Sequence, residues 1–466
     1  MRAGAPRGAG GPGGTGQGGD GGLRASLSGL TTRGRSFLAA GIAAAGCAYV
    51  LGQGELLRVG LLLAALPLIC VYALHRTRYR VSGSRRLTPG RVPAGAEARV
   101  QLRMDNVSRL PTGLLMLQDR VPYVLGPRPR FVLDRVEPGG RRDVSYRVRS
   151  DLRGRYPLGP LQLRLSDPFG LVELTRSFST YDTLTVIPRT EPLPPLRLAG
   201  ESNGYGDGSR RSLALAGDDD VIPRGYRRGD DLRRVHWRST ARYGELMVRR
   251  EEQPQRSKAT VLLDTRRLAY DGAGPDSAFE WAVSAAASSL LHVLEQGFSV
   301  RLLMDTGDSV PGGGGGFESR GASGGGQESA EAAGLMMDTL AVVGHSDGAG
   351  LSRAYDAVRR GGGGFAGTGG DGLLIAFFGD LDDVQTELAA RMRQRAGGAV
   401  AFVLDSAAWG GQPAPGHAVA PLEERLHRLR DAGWTALAAA PGVAFGELWR
   451  QAGTAGLGTG TSGGRA

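Results

Sequence analysis

Two apolar runs near the N-terminus constrain this chain more than any other feature. Residues 36–52 carry no charged side chain, and residues 56–74 carry only Arg58. About 20 apolar residues cross the hydrocarbon core of a bilayer, so each run is long enough to span it. Because a break of three residues, 53–55, separates them, we predict a transmembrane hairpin over 36–75. The second run argues against a cleaved signal peptide, which leaves a buried soluble hairpin as the alternative.

Basic residues flank the hairpin at its two open ends and are absent from the turn. They are Arg24, Arg33 and Arg35 before it, and His75, Arg76, Arg78, Arg80, Arg85 and Arg86 after it. Basic flanks stay on the cytoplasmic side of a membrane, so both termini are expected to be cytoplasmic. The cluster from Arg76 to Arg86 is also expected to contact anionic lipid headgroups, at about 1 kcal/mol per arginine.

The net charge of +11 does not by itself indicate nucleic-acid binding. Lys258 is the only lysine, and the arginines are spread along the chain among carboxylates instead of forming one basic arm. We therefore expect a solvated surface and no nucleic-acid partner, with polyanion binding as the alternative. Cys47 and Cys70 lie in the apolar runs, so they indicate packing residues, without a disulfide or zinc site.

The rest of the chain divides by hydrophobic period. Residues 1–35 and 451–466 are rich in glycine and are expected to be disordered tails. Over 81–190, apolar residues alternate with polar ones, which predicts antiparallel strands in an immunoglobulin-like β-sandwich. A connector with a charged segment follows at 196–257. Residues 258–450 alternate buried strands with helices, which predicts a doubly wound α/β domain.

Within the α/β domain we predict five strands and three helices. The strands are 260–264, 299–304, 373–378, 400–404 and 434–438, and the helices are 277–296, 381–394 and 422–431. Gly-rich stretches at 312–326 and 361–370 are expected to be surface insertions, because no Lys-Ser or Lys-Thr follows them as in a phosphate loop.

One long charged motif carries a family resemblance. The run from Tyr226 to Arg242 reads YRRGDDLRRVHWRSTAR, and GELMVR follows at 244–249. It resembles the hallmark motif of the bacterial domain of unknown function family 58, as do RGRY at 153–156 and DPFGL at 167–171. The resemblance extends over about residues 37–449. It implies a von Willebrand factor A-like α/β domain and attachment to the bacterial inner membrane.

The metal motif of such α/β domains is incomplete in this sequence. Metal-binding relatives place an Asp after the first strand, followed by Ser two and four residues later, whose oxygens hold Mg²⁺. Asp264 keeps the first position, but Arg266 and Leu268 replace the serines, and Asp380 supplies one further carboxylate. We therefore expect no metal and no cofactor, and a salt bridge between Asp264 and Arg266 in place of the ion.

The family signature is the candidate binding segment. Its candidate residues are Gly229, Asp230, Asp231, Arg233, Arg234, His236, Trp237, Arg238, Arg242, Glu245 and Arg249. One interpretation is an internal ion-pair network in which Trp237 pins a loop to the adjoining domain. The other is a recognition surface whose guanidinium groups bind carboxylates or phosphates. The residues alone leave both open.

The resemblance implies an adaptor that is not an enzyme. Related proteins are expected to work with a MoxR-type AAA+ ATPase, and with a transglutaminase-like membrane protein, in assembly or maturation of other proteins. The alternative from another class is a hydrolase that uses Asp264 and His236, which requires both side chains to reach one substrate.

Overall fold

A computed structural model of the chain describes all residues except those in the following list. They are 1–28, 79–80, 108–110, 113, 135, 168, 196–222, 227–234, 236, 250–257, 312–324, 362–371, 411–418 and 459–466. The chain forms two compact units. The first comprises Met1–Val92, Ala96–Ser150 and Arg155–Thr185, and the second comprises Pro93–Gly95, Asp151–Gly154 and Val186–Ala466.

The first unit begins with two helices long and apolar enough to cross a membrane, α1 (Thr32–Leu51) and α2 (Gly54–Arg78). Gly52 ends α1 in the left-handed conformation, with φ 67°, which a glycine adopts without strain. The helices approach closely, because a Cβ atom at Gly41 would lie 2.5 Å from the backbone nitrogen of Ala64. Small residues permit this approach.

The prediction of a disordered tail up to residue 35 is wrong at its end. Helix α1 begins at Thr32 because the Thr31 side chain caps it by accepting a hydrogen bond from the Gly34 N–H. Leu30, only 6% exposed, forms a β-bridge with Val172. Residues 1–28 of the predicted tail lie outside the described residues.

Among the described residues, three sheets form the rest of the first unit, in the orders β1-β3-β6, β2-β10-β7 and β5-β4-β8-β9. The pairs of the first and the third sheet are antiparallel. Their strands are β1 (Val81–Thr88), β2 (Arg91–Pro93), β3 (Glu97–Asn106), β4 (Leu115–Asp119), β5 (Arg130–Leu133), β6 (Arg141–Arg149), β7 (Gly154–Leu158), β8 (Leu161–Ser166), β9 (Glu173–Phe178) and β10 (Asp182–Ile187). The predicted period of two is confirmed in β3 and β8, where alternate residues are buried. Gly83 lies between Met104 of one sheet and Leu161 of another, so these sheets face each other. The finer immunoglobulin-like topology stays a prediction.

Arg85 is not available to lipid headgroups, which corrects the prediction for that member of the basic cluster. Its side chain is 1% exposed and forms an ion pair with the buried Asp119 at 2.5 Å. The Tyr146 hydroxyl donates to the same carboxylate at 2.6 Å. Burial and this carboxylate raise the pKa of Tyr146 well above its ordinary value. Arg85 lies on the inward face of β1, where its charge neutralises that of the buried Asp119.

The second unit contains a six-stranded sheet in the order β15-β14-β13-β16-β17-β18. Its strands are β13 (Lys258–Leu263), β14 (Ser299–Met304), β15 (Ser309–Val310), β16 (Gly372–Phe378), β17 (Gly398–Leu404) and β18 (Thr435–Ala439). All neighbours pair in parallel except β15, which is antiparallel to β14. The strands that pair in parallel agree with the predicted ones.

In the part of this unit that the structure describes, six α-helices accompany the sheet: α4 (Ala278–Glu295), α5 (Gly325–Val342), α6 (Ser352–Gly361), α7 (Asp383–Met392), α8 (Leu422–Asp431) and α9 (Phe445–Gly458). Buried residues form two clusters, one containing Val261, Phe377 and Trp449 and the other Leu262, Phe378 and Trp434. Because adjacent residues of β13 and of β16 fall in different clusters, helices cover both faces of the sheet, as a doubly wound fold requires.

The prediction of a disordered tail from residue 451 is also wrong in part. Helix α9 continues to Gly458, and Ala452 on its inner face is 1% exposed beside the buried Trp449. Glycine is a weak helix former, so composition alone missed a helix that tertiary packing stabilises. The last residues, 459–466, lie outside the described residues.

The signature segment contributes a small element of its own. Strands β11 (Pro223–Gly225) and β12 (Met247–Arg249) pair antiparallel, and helix α3 (Trp237–Tyr243) lies between them in sequence. The Met247 N–H donates to the Thr240 hydroxyl at 3.1 Å, which ties the helix to the second strand.

Candidate functional site: the carboxyl edge of the parallel sheet

The strand order of the second unit reverses direction between β13 and β16. Connections leave these two neighbouring strands toward opposite sides, which opens a crevice at their carboxyl ends. Doubly wound proteins bind ligands at this place. The sequence puts an aspartate at or next to the end of four parallel strands, namely Asp264, Asp305, Asp380 and Asp405.

Asp264 is held by an arginine two residues further along the chain. Its carboxylate is 0% exposed and accepts from Arg266 Nε at 2.9 Å and from Arg266 Nη2 at 2.7 Å. The same Nη2 donates to the Asp380 carbonyl at 3.1 Å, so Arg266 links the ends of β13 and β16. The predicted Asp264–Arg266 salt bridge is confirmed, and its geometry is bidentate.

The charge state of this pair follows from its surroundings. Burial by itself lowers the pKa of Arg266, which is 3% exposed, but the Asp264 carboxylate raises it above that of a free guanidinium. The adjacent Tyr270 is buried as well, and its hydroxyl has no hydrogen-bond partner in the described part of the chain. Burial and the charge of Asp264 raise the pKa of Tyr270, which therefore stays neutral.

A second buried arginine serves the other half of the edge. Arg425 of helix α8 is 1% exposed, and its Nη1 donates to Asp380 at 3.0 Å while its Nη2 donates to Asp405 at 3.0 Å. The Ser406 hydroxyl donates to the other oxygen of Asp380. Each of the two carboxylate oxygens of Asp380 therefore accepts a hydrogen bond from a side chain.

Hydroxyl groups satisfy the remaining carboxylate. Asp305 is 1% exposed and accepts from the Thr265 N–H at 2.9 Å. The Ser346 hydroxyl donates to its other oxygen at 2.6 Å. All four strand-end carboxylates thus have guanidinium or hydroxyl partners, and three of them are less than a tenth exposed.

The loops around the crevice leave little room for an added group. A Cβ atom at Gly379 would collide with the carbonyl of Ala269, so only glycine fits there. The Asp380 N–H donates to that same carbonyl at 2.8 Å, which fixes the end of β16 against the loop after β13. Among the described residues, no group of three or more His, Cys, Asp or Glu side chains is placed to hold a metal ion.

The signature residues are only partly described. Gly229, Asp230, Asp231, Arg233, Arg234 and His236 lie outside the described residues, so the proximity of His236 to Asp264 that the hydrolase alternative requires stays a prediction. Arg238, Arg242 and Glu245 are exposed, and Arg249 is placed only by its backbone in β12.

The interpretation of Trp237 as a buried pin is wrong. Its side chain is 72% exposed at the start of α3, and Tyr243 at the end of the helix is 65% exposed. A pin between packed elements would be largely buried, as Trp449 and Trp434 are. The described part of the signature therefore presents aromatic and basic side chains to solvent.

Sequence reasoning missed Asp305, Asp405, Ser406 and Arg425. An aspartate ends or follows each of four predicted strands, and this recurrence is a signal in the sequence. The incomplete metal motif points only to Asp264 and Asp380. Arg425 lies 45 residues beyond its partner Asp380. It belongs to a helix with an ordinary amphipathic pattern, so no local pattern in the sequence identifies it.

These features define a class of protein: two apolar helices at the N-terminus, antiparallel β-sheets, and a doubly wound α/β unit whose strand-end carboxylates are paired internally. Residues 223–317 match the model of the family described as protein of unknown function DUF58. The predicted resemblance to this family is confirmed over these residues, while the von Willebrand factor A-like assignment stays a prediction.

A related protein gives the same assignment. The chain is 28% identical over 269 residues to the uncharacterized protein YeaD of Bacillus subtilis, an alignment that covers 55% of this chain. It spans 64% of the relative's own length, which is less than two thirds.

Solved structures resemble only parts of the chain. The CARDB domain of a Pyrococcus furiosus protein, solved in complex with di-metal ions, is 10% identical, with a TM-score of 0.18; the match covers 23% of this chain and 94% of that domain. The sporulation control protein Spo0M of Bacillus subtilis is 12% identical with a TM-score of 0.15, covering 23% of this chain and 49% of its own. Similarity at this level carries no conclusion about fold or function.

Proposed function

We propose that this protein is a membrane-anchored adaptor whose α/β unit binds a partner protein and catalyses no reaction. The observation that carries the proposal is the internal pairing of the carboxylates at the switch point. Asp264 is 0% exposed and bound by Arg266, and Asp380 is bound by Arg425 and Ser406. A general base or a metal ligand needs free lone pairs facing a substrate or an ion.

The anchor in this proposal is the helical hairpin of α1 and α2. Both helices are long and apolar enough to cross a bilayer. Arginines at the open ends of the hairpin support insertion into the bacterial inner membrane with both termini in the cytoplasm. The α/β unit would then act at the inner surface of the membrane.

A von Willebrand factor A-like α/β domain is part of the same proposal. The doubly wound sheet with an aspartate directly after its first strand supports it. In metal-binding members a cation connects the domain to a ligand carboxylate. In this chain the Arg266 guanidinium lies on the aspartate instead, which supports partner recognition without a bridging metal.

We place the partner contact on the exposed part of the signature, with the paired strand ends holding the sheet edge in shape. Trp237 and Tyr243 are exposed on α3, and Arg238 and Arg242 are exposed on the same helix. Trp, Tyr and Arg are the residues most enriched among those that dominate binding energy at protein interfaces. The family resemblance names the candidate partner, a MoxR-type AAA+ ATPase, and a transglutaminase-like membrane protein as a further one.

The test uses the full-length protein in detergent and the MoxR-type ATPase from the same cells. Binding is measured by biolayer interferometry with wild type, the double variant Trp237→Ala/Tyr243→Ala, and the control Val384→Ala, which removes a 65% exposed apolar side chain from helix α7. We expect wild type and the control to bind equally and the double variant to bind at least about tenfold more weakly, the loss of one hot-spot contact. Absence of binding by wild type, or equal binding by all three proteins, contradicts the proposal.

A further inference from the structure

A tight loop of the β unit is fixed to the first turn of helix α1. The Thr31 hydroxyl, which caps the helix, donates to the Gly170 carbonyl at 2.7 Å, and the Thr31 N–H donates to the Leu171 carbonyl at 2.9 Å. Gly34 lies so close to this loop that a Cβ atom there would collide with the Leu171 carbonyl. The loop, residues 167–171, therefore lies at the height at which α1 begins.

The same loop has hydrogen bonds across its turn and exposes an aromatic ring. The Asp167 carboxylate, 7% exposed, accepts from the Phe169 N–H at 3.0 Å and from the Val172 N–H at 2.6 Å. Gly170 has φ 70°, which allows the turn to close. The Phe169 side chain is nevertheless 61% exposed. This apolar ring therefore adds little to the core of the unit.

The charge pattern of α1 places this ring relative to a membrane. The helix has 20 residues, and its uncharged part begins at Ser36, after Arg33 and Arg35. Charged side chains stay out of the hydrocarbon, so Ser36 marks its cytoplasmic boundary and Thr31 lies about 7 Å outside it, at about 1.5 Å per residue. Because the loop is bonded to Thr31, Phe169 lies in the headgroup layer.

Charge at the same height agrees with this placement. Arg33 and Arg35 in the first turns of α1 are exposed, and a Cβ atom at Gly170 would lie 3.9 Å from Arg33 Nη1. An exposed aromatic ring on a loop with an arginine beside it is typical of residues that enter an anionic membrane interface, where the ring is buried and the guanidinium binds phosphate.

Exposure alone does not single out Phe169. Tyr123 is 92% exposed in the turn after β4. However, Asp119 at the end of β4 pairs with Leu161 at the start of β8, whereas the loop follows Ser166 at the other end of β8. Tyr123 thus lies at the end of the β unit opposite to Phe169, and it provides a matched control.

We propose that the Phe169 ring inserts into the cytoplasmic membrane interface and seats the β unit on an anionic bilayer. The proposal rests on the membrane anchoring proposed above. It adds a second contact with lipid, made by a loop of the β unit and independent of the apolar residues of the helices. Burying the ring would remove from water the apolar surface that the fold leaves exposed.

The test measures how deep three single-cysteine labels lie in the full-length protein. The labelled positions are Phe169→Cys, the control Tyr123→Cys, and the native Cys47, which is exposed on α1. The other cysteines are replaced by alanine in each variant, and a fluorophore is attached. Each protein is reconstituted into vesicles of phosphatidylcholine and phosphatidylglycerol, and quenching by lipids with a nitroxide near the headgroup or deep in the chain is compared with quenching by aqueous iodide.

We expect the label at position 169 to lose most of its emission to the shallow lipid nitroxide, the Cys47 label to the deep one, and the Tyr123 label only to iodide. If Cys47 is quenched by lipid while position 169 responds only to iodide, the interfacial contact is refuted and the anchor stands. If neither responds to lipid, both proposals fail. If position 123 responds like position 169, exposure explains the result and the specific contact is refuted.

Discussion

Replacing Arg266 by methionine should destabilise the α/β unit far more than an ordinary surface substitution. The guanidinium makes two bonds to Asp264 and one to the Asp380 carbonyl. Without it, the bonds that the described residues still give the buried Asp264 carboxylate come from the backbone N–H of residue 266 at 3.1 Å and of Gly379 at 3.4 Å. Removal of one partner from a buried ion pair costs about 3–5 kcal/mol, because the other charge is left in a medium of low polarity.

Tryptophan emission measures this loss selectively. All five tryptophans lie in Val186–Ala466 and therefore in the second unit. In urea, with a slope of about 2–3 kcal/mol per molar for a unit of this size, a loss of about 4 kcal/mol lowers the midpoint by about 1.3–2 M. The full-length protein is measured in a non-denaturing detergent.

Two further variants make the result interpretable. Arg391→Met removes an arginine whose pair with Glu387 is exposed, with side-chain exposures of 57% and 62%, and it should move the midpoint little. The double variant Arg266→Met/Asp264→Leu removes both charges and should recover much of the loss. Equal midpoints for Arg266→Met and Arg391→Met would refute the assignment of Arg266 as an essential buried partner.

Three other outcomes are expected. Arg425→Met should lower the free energy of unfolding by about 3–5 kcal/mol, measured from the same tryptophan transition, since two carboxylates lose a partner that is 1% exposed. A change no larger than that caused by replacing an exposed arginine would contradict this. Burial lowers the pKa of His345 and of His292 below 6.5, so the unfolded state binds more protons and stability should be complete above pH 6.5 and fall as the pH drops below it; a midpoint that stays level between pH 7 and 5 would contradict this. Gly41→Ala should weaken the hairpin in an SDS titration, because the added methyl meets the backbone of α2, while Gly46→Ala, with open space around it, should not; equal effects would argue against close helix packing.

The sequence predicts the elements whose pattern is strong. The apolar runs form α1 and α2, and the alternation of apolar and polar residues predicted for 81–190 matches the alternating burial of β3. The parallel strands were found because both of their faces are buried, which leaves continuous apolar segments. The ends of elements were predicted less well, because they depend on single contacts such as the cap by Thr31.

The elements that were missed depend on tertiary packing. Helices α5 and α6 border Gly-rich stretches, whose composition indicated loops. In the candidate site, the short-range pair of Asp264 and Arg266 could be predicted because only Thr265 lies between its members. The pairing of Arg425 with Asp380 could not, because only the folded sheet brings helix α8 to that strand end.

The salt bridge at the end of β13 also has a consequence for regulation. A diffusible metal ion occupies a binding site to an extent set by its concentration, and a surface that depends on the ion loses its activity when the ion dissociates. The cation that neutralises Asp264 is the Arg266 guanidinium of the same chain. Its effective concentration is therefore constant, and neither dilution nor chelation removes it. The charge balance inside this sheet edge therefore does not depend on the supply of a free cation.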